Sequence, residues 1–174
     1  MNGLMGPAIR MLLVNENENL NIYVDTEKGQ KSFDAWKKLN HGKLTIGVGY
    51  NIQSRSISKD VARLMLSETI REVIRELRQR LDFFGRLDKP RQLVLLDLLF
   101  NMGWGGFSEF KNMLAAVKRG DWYRAMLEMR FKDGTNEELG YSDWHVTVKT
   151  RAWRMERIML SGQWPEGELG RLED

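Results

Sequence analysis

The spacing of apolar and polar residues predicts a chain built mainly from helices. The strongest signal begins at Ser58, a suitable helix N-cap, with Asp60 in the first turn. Apolar residues then recur at three- and four-residue steps as far as Leu81, and Gly85 ends the run. This pattern predicts one long helix over roughly residues 59–84.

Shorter helical patterns follow in the C-terminal half. Asp88 favours a helix start, and the residues from Leu93 to Phe100 are apolar nearly all round, which predicts the buried centre of the fold. The glycine-rich run at 103–106 is expected to break that helix. Three further helices are predicted over 110–118, 121–130 and 148–160, and Gly120 and Gly162 end the first and the last.

A short helix and two strands are predicted near the N-terminus. Pro7 suits a first helical turn, and the helix is expected to end at Glu16 because asparagines follow it. Apolar and polar residues alternate over 20–25 and again over 44–50, which is the period of a half-buried strand.

The composition narrows the classes of function. The 174 residues are 42% hydrophobic and 29% charged, which is typical of a globular protein. The chain has no cysteine, and neither His41 nor His145 has a spaced partner, so we expect no metal, no cofactor and no zinc amidase. The net charge of +3 mildly favours anionic partners and fits a solvated basic surface equally well.

Charge along the long helix alternates in sign. Its arginines interleave with glutamates at three- and four-residue steps, and these residues are Arg71, Arg75, Arg78 and Arg80 with Glu68, Glu72 and Glu76. The pattern indicates ion pairs along the helix surface. We therefore expect no nucleic-acid partner.

Two carboxylates near the N-terminus suit glycoside hydrolysis. Glu16 would end the first helix, and pairing of the two predicted strands would bring Thr45 close to Asp25. Cleavage of a glycosidic bond needs one protonated acid and one ionised carboxylate. A partly desolvated Glu16 suits the acid role, and an Asp25 at a solvated strand end would stay ionised.

Several motifs resemble the T-even-phage lysozyme family, in order along nearly the whole chain. The first three runs are Leu13-Val14-Asn15-Glu16, Leu20-Asn21-Ile22-Tyr23-Val24-Asp25-Thr26 and Thr45-Ile46-Gly47-Val48-Gly49. The others are Ile57-Ser58-Lys59-Asp60, Phe100-Asn101-Met102-Gly103, Phe110-Lys111-Asn112, and Trp144 followed by Thr150-Arg151-Ala152-Trp153-Arg154. The resemblance extends well beyond one short motif.

The resemblance implies a muramidase with an inverting mechanism. Glu16 would be the general acid, while Asp25 and Thr45 would position a water on the opposite face of the sugar. Arg151 matches the family arginine that pairs with the catalytic glutamate, although a surface cation on the last helix is the alternative. The expected supporting residues are Arg151, Asn101, Tyr23 and Gly47, and helix-end capping serves equally well for Asn101. Trp144 is expected in the core.

The same resemblance implies an α+β, mainly helical, lysozyme-like fold with two lobes. A hairpin lobe with the first helix (1–57), a linking helix (58–84) and a helical lobe (85–174) would form one domain. The substrate cleft is expected between the lobes. The expected partner is bacterial peptidoglycan, and the expected state is a monomer.

The chain also departs from the family pattern. Asn17 stands where a glycine is usual, and Tyr50 stands where a histidine commonly follows the second strand. The segment 28–42 is inserted between Asp25 and Thr45, and its Phe33, Ala35, Trp36 and Leu39 suit one stripe of a short helix. This insertion affects the expected substrate-site geometry more than the chemistry.

Two other functions stay open. A lytic transglycosylase needs one acid and no water-positioning pair, and a catalytically silent docking module would use the insertion as its interface. The sequence shows no signal peptide and no apolar stretch long enough for stable membrane insertion. A phage enzyme of this kind would be made in the host cytoplasm and reach the periplasmic cell wall through a separate membrane-permeabilising protein.

Overall fold

The protein is mainly helical, as predicted. A computed structural model describes residues 2–15, 23–26, 29–32, 45–46, 50–51, 55–134 and 137–164. The described helices are α1 (Asn2–Asn15), α2 (Lys59–Arg80), α3 (Lys89–Ser108), α4 (Lys111–Arg119), α5 (Trp122–Arg130), α6 (Asp143–Val148) and α7 (Thr150–Ser161). Short 3-10 turns occupy Phe84–Arg86 and Glu137–Leu139. The lysozyme-like arrangement of two lobes stays a prediction.

Among the helices that the structure describes, none has the length and apolar character needed to cross a membrane.

The first helix begins earlier than the sequence predicted. Pro7 lies inside α1 and not in its first turn. Leu4, Ala8 and Met11 are buried at steps of four and three residues, and α1 packs against α3. Burial of this stripe compensates for the hydrogen bond that Pro7 cannot donate. The helix ends at Asn15, directly before Glu16, which itself lies outside the described residues.

Among the residues that the structure describes, four short strands form two separate antiparallel pairs. β1 (Tyr23–Thr26) pairs with β2 (Gly29–Ser32), and β3 (Thr45–Ile46) pairs with β4 (Tyr50–Asn51). The prediction that the strand of Asp25 pairs with the strand of Thr45 is therefore wrong. Only two residues separate β1 from β2, so this local hairpin closes at a lower entropic cost than a pairing across the whole insertion.

The strand predicted over 44–50 contributes to two strands, because Thr45–Ile46 pairs antiparallel with Tyr50–Asn51. Strand β2 lies within the predicted insertion. The short helix predicted from Phe33, Ala35, Trp36 and Leu39 falls outside the described residues.

Local capping signals placed most helix ends correctly. The Ser58 hydroxyl accepts a hydrogen bond from the Val61 amide, and the carboxylates of Asp88 and Asp121 cap α3 and α5. Gly120 and Gly162 end α4 and α7 in the left-handed conformation. Helix α2 ends at Arg80, a few residues before the predicted end, because the 3-10 turn takes over near Phe84.

The predicted break at the glycine-rich run is present, because Gly103, with φ of 66° and ψ of 175°, is non-helical and separates two helical segments of α3 at a kink. Another feature of the C-terminal half differs from the prediction. The helix predicted over 148–160 is α7, which begins at Thr150, whereas the preceding helix α6 was not predicted; Lys149, with a φ of 49°, separates the two. The Ser142 hydroxyl caps α6 by accepting from the His145 amide at 3.1 Å.

The buried centre is α3, as the apolar run predicted. All residues from Leu93 to Leu99 are buried, including Asp97. The chain divides into two compact units, one of residues 17–67 and one of residues 1–16 with 68–174. Helix α1 thus belongs with the helical unit, whereas the sequence had grouped it with the hairpins, because its buried stripe packs on α3.

Candidate functional site

The structure places some of the predicted site residues on backbone elements that it describes. Asp25 lies in β1 opposite Gln30, and Tyr23 lies opposite Ser32. Thr45 lies in β3 opposite Asn51. Glu16 and Gly47 fall outside the described residues, so their predicted roles stay predictions.

Arg151 is only slightly exposed and is ion-paired. It is the second residue of α7, its side chain is 10% exposed, and it contacts Asp97 in the middle of α3. The Arg151 Nε donates to Asp97 Oδ1 at 3.2 Å and Oδ2 at 3.0 Å, and Nη2 donates to Oδ1 at 2.9 Å. The alternative reading of Arg151 as a surface cation is therefore wrong.

Asp97 was not recognised as a site residue from the sequence. Its carboxylate is fully buried within the apolar run of α3. A charge in such a place is costly unless it is paired and hydrogen-bonded. An acidic residue inside the most apolar stretch of the chain was the signal that could have revealed it, but its partner lies 54 positions away.

A second buried ion cluster holds α5, α6 and α7 together. We call it the Glu156 cluster, and it consists of Arg130, His145 and Glu156. Glu156 is fully buried, and its two oxygens contact Arg130 Nε at 2.9 Å and His145 Nδ1 at 2.5 Å. The His145 ring also stacks on Tyr141, with 4.4 Å between ring centres. These contacts fix α6, which carries Trp144, against α7, which carries Arg151.

A pocket of about 540 Å³ opens beside α6 within the helical unit. Its walls combine aromatic rings and carboxylates, namely Phe110, Phe131, Trp144, Glu109, Glu128 and Asp143. Lysines at 111 and 132 add positive charge. Such a mixture suits a polar ligand that presents both hydrogen-bonding groups and an apolar face.

The other two aromatic and polar candidates differ in exposure. Trp144 is 7% exposed, which confirms its expected place in the core, and it also lines the pocket. Its indole N–H is buried without a hydrogen-bond acceptor among the described residues. Asn101, in α3 two residues before the kink at Gly103, is exposed to solvent.

The predicted ion pairs along α2 are present in part. Arg71 pairs with Glu68, and Arg80 Nε lies 2.9 Å from Glu76 Oε1. Arg80 also stacks over the Trp104 ring at 4.3 Å. These contacts confirm the predicted ion pairing for Arg71 and Arg80.

Comparison with known proteins connects the chain to a bacteriophage protein. No protein-family model matches the sequence. The chain is similar to the pre-baseplate central spike protein Gp5 of Enterobacteria phage T4, with 36% identity over 76 residues. The match covers 44% of this chain, and the chain spans only 12% of the length of that curated relative.

Proposed function

We propose that the chain is a muramidase of the T-even-phage lysozyme type. It hydrolyses the β-1,4 bond between N-acetylmuramic acid and N-acetylglucosamine in bacterial peptidoglycan. The bidentate pairing of Arg151, whose side chain is 10% exposed, with the buried Asp97 supports this proposal most directly. The resemblance predicted a functional arginine at this position, and a largely buried, paired arginine is not an ordinary surface cation.

The proposed mechanism uses two carboxylates. Glu16 protonates the leaving glycosidic oxygen as general acid. Asp25, assisted by Thr45, positions a water that attacks the opposite face of the sugar, so the anomeric centre inverts. Arg151 belongs to the same site by its resemblance to the family arginine. The similarity to a phage T4 protein supports a phage origin for this activity.

The decisive experiment compares wild type with Glu16→Gln on outer-membrane-stripped Gram-negative cells. Loss of turbidity with the appearance of reducing ends is expected from wild type. The variant should be slower by about 10²–10⁴-fold, because an amide cannot donate the acid's proton. Glu72→Gln, which changes an exposed glutamate of α2, is the matched control and should retain full activity.

The outcomes separate the alternatives. Clearing by both wild type and Glu16→Gln would show that the catalytic acid lies elsewhere. Clearing without new reducing ends, with anhydro-sugar products, would identify a lytic transglycosylase. Absence of clearing by a folded wild-type protein would contradict the enzymatic proposal.

A docking module of a phage particle is the second candidate function. The observation that favours it is the similarity to a central spike protein, of which the chain spans a small part. Such a module would bind peptidoglycan or another particle component without turnover. Sedimentation with purified peptidoglycan, together with product analysis, distinguishes binding alone from binding with cleavage.

A further inference from the structure

Two arginines connect α3 and α7, Arg91 through backbone carbonyls of α7 and Arg151 through the side chain of Asp97. Arg91 of α3 donates to the backbone oxygens of Met159 and Leu160 in α7 at 2.8 and 3.0 Å, and it also pairs with Asp88. Its donors therefore hold the two helices together through backbone contacts. Arg91 is a structural clamp at the C-terminal end of α7.

The Asp97–Arg151 pair lies near the other end of α7 and uses side chains on both partners. The carboxylate engages Nε and Nη2 along one edge of the planar guanidinium. An arginine has five N–H donors in a fixed fork, so binding along this edge directs the Nη1 edge away from Asp97. The pair thereby sets the direction in which Arg151 presents its remaining donors.

Stability alone does not account for this pair. A buried ion pair often contributes no more to stability than apolar residues of similar volume, because both charges lose their hydration. The surrounding positions of α3 are leucines and valine, all buried, so an apolar residue at 97 would suit the core. The Arg91 clamp already joins the same two helices.

We infer that Asp97 is a positioning residue, which holds the Arg151 guanidinium in the orientation that the proposed muramidase reaction uses. This inference rests on the proposed function. Asp97 itself lies inside the protein and acts through Arg151. Replacing it should reduce turnover more than substrate binding, because only the orientation of a donor changes.

The first test is Asp97→Asn, which keeps the side-chain shape and removes the charge. We expect kcat to fall by at least about tenfold, with KM changed much less. The matched control is Asp88→Asn, which neutralises the aspartate that pairs with Arg91 at the start of α3. The control should lower Tm but leave kcat within about twofold, since Asp88 pairs with Arg91 and not with Arg151.

Chemical rescue distinguishes a positioning role of Asp97 from a purely structural one, because only a positioning role predicts that rescue depends on Asp97. Arg151→Ala should lose about 10²-fold in turnover and leave a space beside the Asp97 carboxylate. Free guanidinium at tens of millimolar, far below the molar range that unfolds proteins, should occupy this space and restore part of the rate. Rescue should disappear in the double variant Arg151→Ala with Asp97→Asn, and equal ionic strength from sodium chloride should rescue neither.

The outcomes test the positioning role of Asp97 separately from the proposed muramidase activity. The positioning role would be overturned if guanidinium rescued the Arg151→Ala enzyme equally well with and without Asp97. It would also be overturned if the Asp97→Asn enzyme were as active as wild type. Neither result would contradict the proposed muramidase activity. An inactive wild type would instead contradict the proposed function. Independently of activity, the Arg151 Nε–H signal in NMR should exchange slowly in wild type and rapidly in Asp97→Asn, and a signal unaffected by the substitution would also overturn the inference.

Discussion

How much an ion pair contributes to stability depends on its surroundings, as the pair of Asp82 and Lys118 shows. Lys118 Nζ donates to both oxygens of Asp82 at 3.0 Å, and both side chains are exposed. The hydrogen bond from Lys118 lowers the pKa of Asp82, and the charges of Lys118 and Arg86 act in the same direction. Such an exposed pair contributes little to stability because water and salt screen it.

The pH dependence of this pair has a definite sign. The pKa of Asp82 is lower in the folded protein than in the unfolded chain, so its contribution is present above the unfolded pKa and is lost as pH falls through the folded pKa. Asp82→Asn should therefore reduce Tm slightly at neutral pH and progressively less in acid. Thermal denaturation of both proteins across this range measures the difference.

A double-mutant cycle provides the control for Asp82. Once Lys118→Gln has removed the partner, Asp82→Asn should have almost no further effect on Tm. If Asp82→Asn lowers Tm as much at the lowest pH as at neutral pH, the loss arises from a contact other than this ion pair.

At the scale of elements, the junction between α6 and α7 is strained. Lys149 has φ of 49° and ψ of −114°, a region that favours glycine. It is the only residue other than glycine with positive φ in the part of the chain that the structure describes. The amides of Ala152 and Trp153 both bond to the Lys149 carbonyl, which holds this geometry at the start of α7.

Lys149→Gly should stabilise the protein. Relief of the unfavourable backbone conformation should add about 1–3 kcal/mol to the free energy of unfolding. The greater entropy of glycine in the unfolded chain should remove somewhat less than about 1 kcal/mol of this gain. We expect a net gain of about 1 kcal/mol in the free energy of unfolding, measured by urea denaturation. Ala115→Gly, at an exposed helical position of α4, measures the cost of glycine alone and should destabilise by about 1 kcal/mol. Equal losses in both variants would show that Lys149 is not strained.

The elements also show what the sequence could predict. Helix ends such as Ser58, Asp88 and Gly120 were correctly placed because capping depends on residues within one turn. The break at Lys149 carries no such signal, since nothing in a lysine indicates positive φ. The pairing of β1 was missed because alternation identifies a strand without specifying its partner.

Only part of the candidate site was predictable from the sequence. Arg151 came from a resemblance and proved to be paired and only 10% exposed, whereas Asp97 was not identified as a candidate. The contact between them joins residues 54 positions apart. No local pattern encodes such a contact, because it depends on how α3 and α7 pack.

At the scale of the whole molecule, the helical unit is discontinuous in sequence. Residues 1–16 complete a unit whose other part begins at residue 68. The buried stripe of α1 packs on α3, and Met11 is 1% exposed. Helix α1 should therefore unfold together with the C-terminal helices and not with residues 17–67.

Met11→Ala tests this coupling. Loss of a fully buried methionine should cost about 2–5 kcal/mol. In native-state hydrogen exchange, amides of α1 and α3 should lose protection by similar amounts. Ala115→Gly again serves as a control that weakens one helix locally. If the variant lowers protection in α1 alone, the helix is an independently opening segment.

The discontinuity also has a consequence during synthesis on the ribosome. The apolar stripe of α1 emerges before α3, which is complete only some ninety residues later, and this takes roughly 5–20 s at ordinary elongation rates. During that interval Leu4, Ala8 and Met11 have no native surface to cover them. The nascent α1 segment is therefore a natural binding segment for chaperones until α3 leaves the exit tunnel.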